Sequence, residues 1–71
     1  MPNGKVRTSR YVTQLMGENE AFVNFIQDSI MLFLSFDKPF LVCSRVDVPS
    51  ICVQRDEDGV WIALLSELEG D

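Results

Sequence analysis

Apolar residues recur at helical spacing in the first half of the chain. Between residues 19 and 35 they are Phe22, Phe25, Ile26, Ile30 and Phe33, positions that fall on one side of an α-helix. Asn19 is a suitable N-cap, and Glu18 and Glu20 favour the positive end of a helix dipole. The pattern therefore predicts a main helix from about residue 19 to residue 35.

The end of this segment is apolar on every side. The stretch IMLFL covers residues 30–34, and its Met31 interrupts a polar side that includes Asn24 and Asp28. We therefore expect the C-terminal half of the helix to be covered all round. The alternative is that residues 29–36 form a strand, which their short length and aromatic content allow.

The residues before the helix divide into two short segments. Residues 1–8, MPNGKVRT, show no periodicity and contain proline and glycine, so we predict a flexible basic arm. Ser9 can cap a short helix through RYVTQLM, which Gly17 closes. Because 71 residues suffice for one domain only, we predict that residues 9–71 form a single small domain.

Strand patterns follow the helix. They cover residues 40–46, 51–55 and 60–65, and turn residues separate them. One turn lies at DVPS and the other at Asp56 to Gly59, where the glycine can adopt positive φ. The sequence thus predicts an α+β fold, with one main helix packed on a three-stranded antiparallel β-meander and a flexible N-terminal arm.

The turns set the pairing of these strands. Across the second turn Val53 pairs with Ile62, and across the first turn Val46 pairs with Ile51. This register places on the helix-covered face Phe40, Val42, Val46, Ile51, Val53, Val60, Ile62 and Leu64. The opposite face receives Leu41, Cys43, Arg45, Cys52, Gln54, Trp61, Ala63 and Leu65.

The opposite face is more apolar than a solvent-exposed sheet face should be, since only Arg45 and Gln54 are strongly polar. Exposed apolar patches that contain tryptophan often mark interaction sites. We predict a partner-binding site formed by Trp61, Leu41, Arg45, Gln54 and Leu65, together with the acidic turn residues Asp56, Glu57 and Asp58. The alternative is that the N-terminal segment, with Tyr11, Val12, Leu15 and Met16, folds back over this face.

The charge of the chain restricts its partners. A net charge of −5 and six Lys and Arg residues in total argue against a general polyanion binder, because phosphate neutralisation needs clustered cations. The charge is also uneven, with bases among residues 5–10 and six acids among residues 56–71. An acidic C-terminal part favours a protein partner with a basic surface.

Targeting and membrane patterns are weak. The basic start leads into YVTQLMGENE, which is unlike the continuous apolar stretch of a secretory signal. The segment AFVNFIQDSIMLFLSF contains Asn24, Gln27 and Asp28 and is a poor membrane span. We therefore expect a cytoplasmic protein without membrane contact.

Residues suited to catalysis or metal binding are few. The chain has no histidine, which removes the usual general base. Cys43 and Cys52 lie among apolar residues, where packing is the usual role of a free cysteine. The DED run at residues 56–58 lacks the alternating oxygen ligands of a calcium loop. We expect no enzyme activity, no metal and no cofactor.

A resemblance is carried by VQRDEDGVWIALLSELEG, residues 53–70. It is similar to the first hairpin of HicB-type antitoxins, in which a strand, a D-x-D-G-like turn and an aromatic-containing strand lead to a P-E-L-x-G-C-like segment. Ser66 stands where that pattern has proline, and Asp71 where it has cysteine. The match covers about a quarter of the chain, and we interpret it as convergence on an acidic hairpin.

These observations favour a small acidic non-enzymatic interaction module, an inhibitor or regulator that binds and occludes a surface of a larger macromolecule. A core in so short a chain rarely supplies more than about 3–5 kcal/mol, so the first alternative is a homodimeric structural or accessory subunit. The second is a nucleic-acid-binding module that uses the basic arm, with Tyr11 as a stacking group.

Overall fold

The structure, a computed structural model, describes residues 5–69. Within this range three helices accompany one four-stranded mixed sheet, so the α+β class is confirmed, while the predicted three-stranded meander with one main helix is wrong in detail. The elements in chain order are β1 (Lys5–Thr8), α1 (Arg10–Glu18), α2 (Glu20–Leu34), β2 (Phe40–Arg45), β3 (Val48–Asp56), β4 (Gly59–Leu64) and α3 (Leu65–Glu69).

The first strand replaces part of the predicted flexible arm. The sheet has the order β1-β4-β3-β2, and β1 runs parallel to β4, with Lys5 opposite Gly59 and Thr8 opposite Ile62. Residues 1–4 of the predicted arm lie outside the described residues. The sequence pattern misses β1 because its alternation extends over four residues only, and its pairing partner lies at the other end of the chain.

Both predicted helix starts are confirmed. The Ser9 hydroxyl accepts a hydrogen bond from the Val12 N–H at 3.2 Å, and the Asn19 side chain accepts one from the Phe22 N–H at 3.3 Å. Each bond satisfies a backbone donor that the first helical turn leaves free. Helix α2 continues to Leu34, so the alternative strand over residues 29–36 is wrong.

The C-terminal half of α2 is not covered all round, contrary to expectation. Phe33 is fully buried on the side that faces the sheet, whereas Met31, Leu32 and Leu34 are exposed. Helices α1 and α2 form a single layer on the sheet, and within residues 5–69 no second helical layer covers the remaining sides.

The predicted pairing of β3 with β4 is confirmed. Val53 lies opposite Ile62, and the pairing continues to Asp56 opposite Gly59, so only Glu57 and Asp58 form the turn. Gly59 has a φ of 134°, a backbone conformation that glycine adopts at little cost because it has no Cβ atom.

The predicted pairing of β2 with β3 is wrong. Cys43, and not Val46, lies opposite Ile51, a shift of three residues. A shift by an odd number of residues exchanges the two faces of a strand. Leu41, Cys43 and Arg45 therefore lie on the helix-covered face. Phe40 and Val42, predicted for the core, lie on the opposite face, and Val46 is fully exposed in the turn.

A β-bulge explains this shift. Between the pairs Cys43–Ile51 and Arg45–Val48, one residue of β2 faces two residues of β3, Pro49 and Ser50. Proline is accepted at such irregularities because it has no N–H to contribute to the ladder. Pro49 thus lies within a strand, and the turn that it was expected to form consists of Val46 and Asp47.

The hydrophobic core lies between the sheet and the two longer helices. We call the sheet face that packs on α1 and α2 the inner face, and the other the outer face. Val12 of α1 belongs to the same buried cluster as Val53 and Ile62. The N-terminal segment therefore covers the inner face, and the alternative in which it folds over the face of Trp61 is wrong.

Candidate interaction site on the outer face

One row of side chains crosses all four strands on the outer face. Gln54 lies opposite Phe40 on one side and opposite Trp61 on the other, and Trp61 lies opposite Arg7. Directly opposed residues project from the same face of a sheet. We call Arg7, Trp61, Gln54 and Phe40 the outer row.

The outer row is partly exposed along its whole length. Phe40 on the edge strand β2 is 55% exposed, and Arg7, Trp61 and Gln54 are partly buried. Their positions on paired strands hold their Cα atoms at fixed spacing. The row thus presents two aromatic rings, an amide and a guanidinium on one rigid surface.

Arg7 links the outer row to the acidic turn. Its Cζ atom lies 5.5 Å from the centroid of the Trp61 ring, within the range of a cation–π contact. Its guanidinium also forms an ion pair with Asp56. The hydrogen bond from Arg7 lowers the pKa of the Asp56 carboxyl, and the backbone N–H of Asp58, 3.0 Å from Asp56 Oδ1, acts in the same direction.

The acidic turn borders the row at one end of the sheet. Glu57 and Asp58 are exposed, and the Lys5 N–H donates to the Asp58 carbonyl at 3.1 Å, which ties the turn to β1. The turn therefore places two exposed carboxylates at this end of the sheet.

Helix α3 occupies the opposite end of the outer face. It contacts both β3 and β4 where Cys52 and Ala63 are buried. The Glu67 carboxylate accepts hydrogen bonds from the Ser9 hydroxyl at 2.7 Å and from the Leu64 N–H at 2.8 Å. The outer face is thus covered near α3 and open at the outer row.

Two clefts border the helices. One, of ≈ 340 Å³, lies where Leu34 approaches Arg55 and the turn. The other, of ≈ 380 Å³, lies between α2 and β2, and its lining includes Phe25, Leu32 and Val42. Both clefts are open to solvent, and neither includes a residue of the outer row.

The side chains suited to catalysis or metal binding do not cluster within the described residues. Cys43 belongs to the inner-face core, Cys52 lies on the outer face, and both are buried free thiols. Within residues 5–69 no three cysteine, aspartate or glutamate side chains come together as metal ligands. In the same part of the chain, the helices are too short or too polar to cross a membrane.

The structure separates the predicted partner-binding residues into groups. Trp61 and Gln54 lie together in the outer row, with Asp56 beside Arg7 and with Glu57 and Asp58 in the turn. Leu65 is the first residue of α3.

The other two predicted residues lie on the inner face as a result of the register shift. Leu41 packs against the core, and the Arg45 Cζ atom lies 5.9 Å from the centroid of the Phe25 ring of α2. Neither can contact a molecule bound on the outer row from this position.

Sequence reasoning missed Arg7, Phe40 and Val42 on the outer face. The alternation of charged and apolar residues in KVRT is the available signal for Arg7, because it places Lys5 and Arg7 on one face of a strand. For Phe40 and Val42 no such signal exists, since FLV is apolar throughout and fits either face.

Comparisons with protein-family models, with curated proteins and with solved structures find no match to this chain. The similarity of residues 53–70 to a HicB-type hairpin therefore stays a local resemblance.

Proposed function

We propose that this chain is a small non-enzymatic protein-interaction module, an inhibitor or regulator, that binds a larger protein through the outer row and occludes part of that protein's surface. The observation that supports the proposal is the alignment of Arg7, Trp61, Gln54 and Phe40 across all four strands of an open sheet face. We propose that this binding takes place in the cytoplasm.

The residue types of the outer row suit a binding surface. Tryptophan and arginine are enriched among the residues that dominate binding energy, and a central aromatic surrounded by polar groups is a common arrangement. Trp61 has this central place, with Arg7 and Gln54 on either side. Because the side chains stand on paired strands, little backbone ordering is needed when a partner binds.

Charge adds selectivity to this surface. The exposed carboxylates of Glu57 and Asp58 lie in the turn between the two central strands, at one end of the sheet, and the net charge of the chain is −5. A partner with a basic patch would be attracted to that end and oriented by it. We therefore expect the association rate with such a partner to fall as the salt concentration rises.

The same geometry makes nucleic acid a poorer candidate. Arg7, one of the few cations in the basic segment, is paired with Asp56 and lies over the ring of Trp61. A phosphate would have to compete with that carboxylate for the guanidinium, in the vicinity of Glu57 and Asp58.

Affinity capture with paired variants tests the proposal. The wild-type chain, Trp61→Ala and Met31→Ala are immobilised and exposed to extract of the cells that express the chain. Met31 is a matched control because it is an exposed apolar residue on α2, away from the outer row. Bound proteins are identified by quantitative mass spectrometry.

The expected result is a protein retained by the wild-type chain and by Met31→Ala and lost with Trp61→Ala. Capture that Trp61→Ala leaves unchanged would remove the outer row as the binding surface. Retention of nucleic acid alone, or of nothing, would contradict the interaction role itself.

A further inference from the structure

The outer edge of β2 is an unpaired strand edge. The Arg55 N–H donates to the Pro39 carbonyl at 3.0 Å, which shows that the backbone groups of Pro39 point toward β3. Since this direction alternates along an antiparallel strand, every second residue of β2 directs its N–H and C=O groups away from the sheet. These residues are Phe40, Val42 and Ser44.

The middle of this edge, from Phe40 to Ser44, lacks the features that usually protect a strand edge. All three outward-directed residues are exposed, and between Phe40 and Ser44 the strand contains no charged residue and no proline. The bulge at Pro49 and Ser50 lies on β3 and not on the edge strand. Natural edges of this kind are normally blocked by lysine, proline or a covering element.

We propose that β2 pairs antiparallel with β2 of a second copy of this chain, so that the two sheets join into one continuous sheet. In the register centred on Leu41, Phe40 of each copy lies opposite Val42 of the other. Both have outward-directed backbone groups, as a hydrogen-bonded pair requires. The two resulting contacts are aromatic to β-branched, a favourable cross-strand combination.

In this register Arg45 of each copy, which forms an ion pair with Asp47 of its own chain, lies toward Asp37 of the other copy. Both ends of the joined strands then bring unlike charges together, which favours association.

The side of α2 next to β2 gives independent support. Leu32 is 48% exposed and lines the ≈ 380 Å³ cleft between α2 and β2, together with Val42. A two-fold axis through the middle of β2 places the two α2 helices side by side on the inner face. Leu32 of each copy then lies in the seam, which covers apolar surface that the single chain leaves open.

This dimer does not depend on the proposed partner binding. The joined sheet leaves Arg7, Trp61 and Gln54 of both copies on the same open face, and Trp61 lies two strands away from the seam. Trp61→Ala should therefore leave the oligomeric state unchanged, which separates a failure of the dimer from a failure of the partner-binding proposal.

Light scattering after size-exclusion chromatography measures the oligomeric state, with two adjacent residues of α2 as the matched pair. Leu32→Asp places like charges in the seam and should weaken the dimer at least about tenfold. Met31→Asp carries the same change at a residue that is 72% exposed and does not line the cleft, and it should dimerise as the wild type does. A wild-type chain that stays at 8.1 kDa at millimolar concentration overturns the proposal, as does equal weakening by both variants.

Amide hydrogen exchange tests the strand pairing directly. In the dimer, the N–H groups of Phe40 and Val42 should become protected as the protein concentration rises. Fast exchange at both amides in a dimeric sample would exclude β2 pairing.

Discussion

The two faces of the same sheet differ in what holds their side chains in place. On the inner face Ile51, Val53 and Ile62 are fully buried beneath α1 and α2, in a cluster with Phe22 and Phe33. On the outer face α3 covers one end, and the outer row remains open at the other. A single step along β4, from Trp61 to Ile62, separates the proposed binding surface from the core.

This difference shows why stability and function can be assigned to neighbouring residues of one strand. Inner-face residues are held by close packing, so their loss leaves a cavity. Outer-row residues are held by their strands and by contacts such as that of Arg7 with Trp61. Substitutions on the two faces should therefore have opposite consequences for folding and for binding.

The largest effect is expected on the inner face. Ile62→Ala removes a side chain with no exposed surface and should lower the free energy of unfolding by about 2–5 kcal/mol. That loss approaches the total stability of a small domain, which can be as low as about 5 kcal/mol. Urea denaturation followed by circular dichroism measures it.

Trp61→Ala is the control for this prediction, since Trp61 directly precedes Ile62 along β4 and lies on the other face of the sheet. It should leave a cooperative unfolding transition with a smaller loss of stability. If Trp61→Ala unfolded the chain and Ile62→Ala did not, the assignment of the two faces would be reversed.

A smaller effect is expected at the turn that sets the register of both faces. Gly59→Val forces a β-branched residue into a φ of 134° and should cost about 1 kcal/mol or more. Gly17→Val provides a contrast, because nothing lies within 4 Å of a Cβ atom built at Gly17. Thermal melts of the two variants compare them, and equal stability of Gly59→Val and wild type would show that the turn has another conformation.

The smallest expected change in stability is electrostatic and arises from the Arg7–Asp56 ion pair. The hydrogen bond from Arg7 lowers the pKa of Asp56 below its ordinary value of 3.8. The pair therefore stabilises the fold above that pH, and its contribution disappears as the pH falls through the lowered pKa of the folded state. Arg7→Gln should reduce the melting temperature at neutral pH, and the deficit should shrink in acid.

Melting curves of wild type, Arg7→Gln and Asp56→Asn between about pH 2 and pH 7 test this dependence. A deficit of Arg7→Gln that stays constant over the whole range would mean that Arg7 acts through its contact with Trp61 alone.

Local sequence patterns predicted the parts of the fold that local interactions determine. The N-caps Ser9 and Asn19 were identified because each precedes a helical pattern. The β3–β4 register followed from the turn, where Gly59 supplies the required φ. Trp61 and Gln54 were placed on one face for the same reason.

Long-range pairing could not be predicted in this way. Strand β1 is stabilised by β4 and by the Arg7–Asp56 ion pair, and both partners lie far along the chain. The register of β2 depends on a bulge at Pro49, a residue whose local preference indicates a turn. That one error moved Phe40 to the wrong face, so half of the outer row, Arg7 and Phe40, was found only in the structure.

Titration of the captured protein with three forms of the chain tests the proposed role of the outer row most directly. Isothermal titration calorimetry compares wild type, Trp61→Ala and Met31→Ala, with circular dichroism melts of each. We predict that Trp61→Ala remains folded and binds at least about thirtyfold more weakly, corresponding to about 2 kcal/mol, while Met31→Ala binds as wild type does. Unchanged affinity of folded Trp61→Ala would contradict the proposal that the outer row is the binding surface.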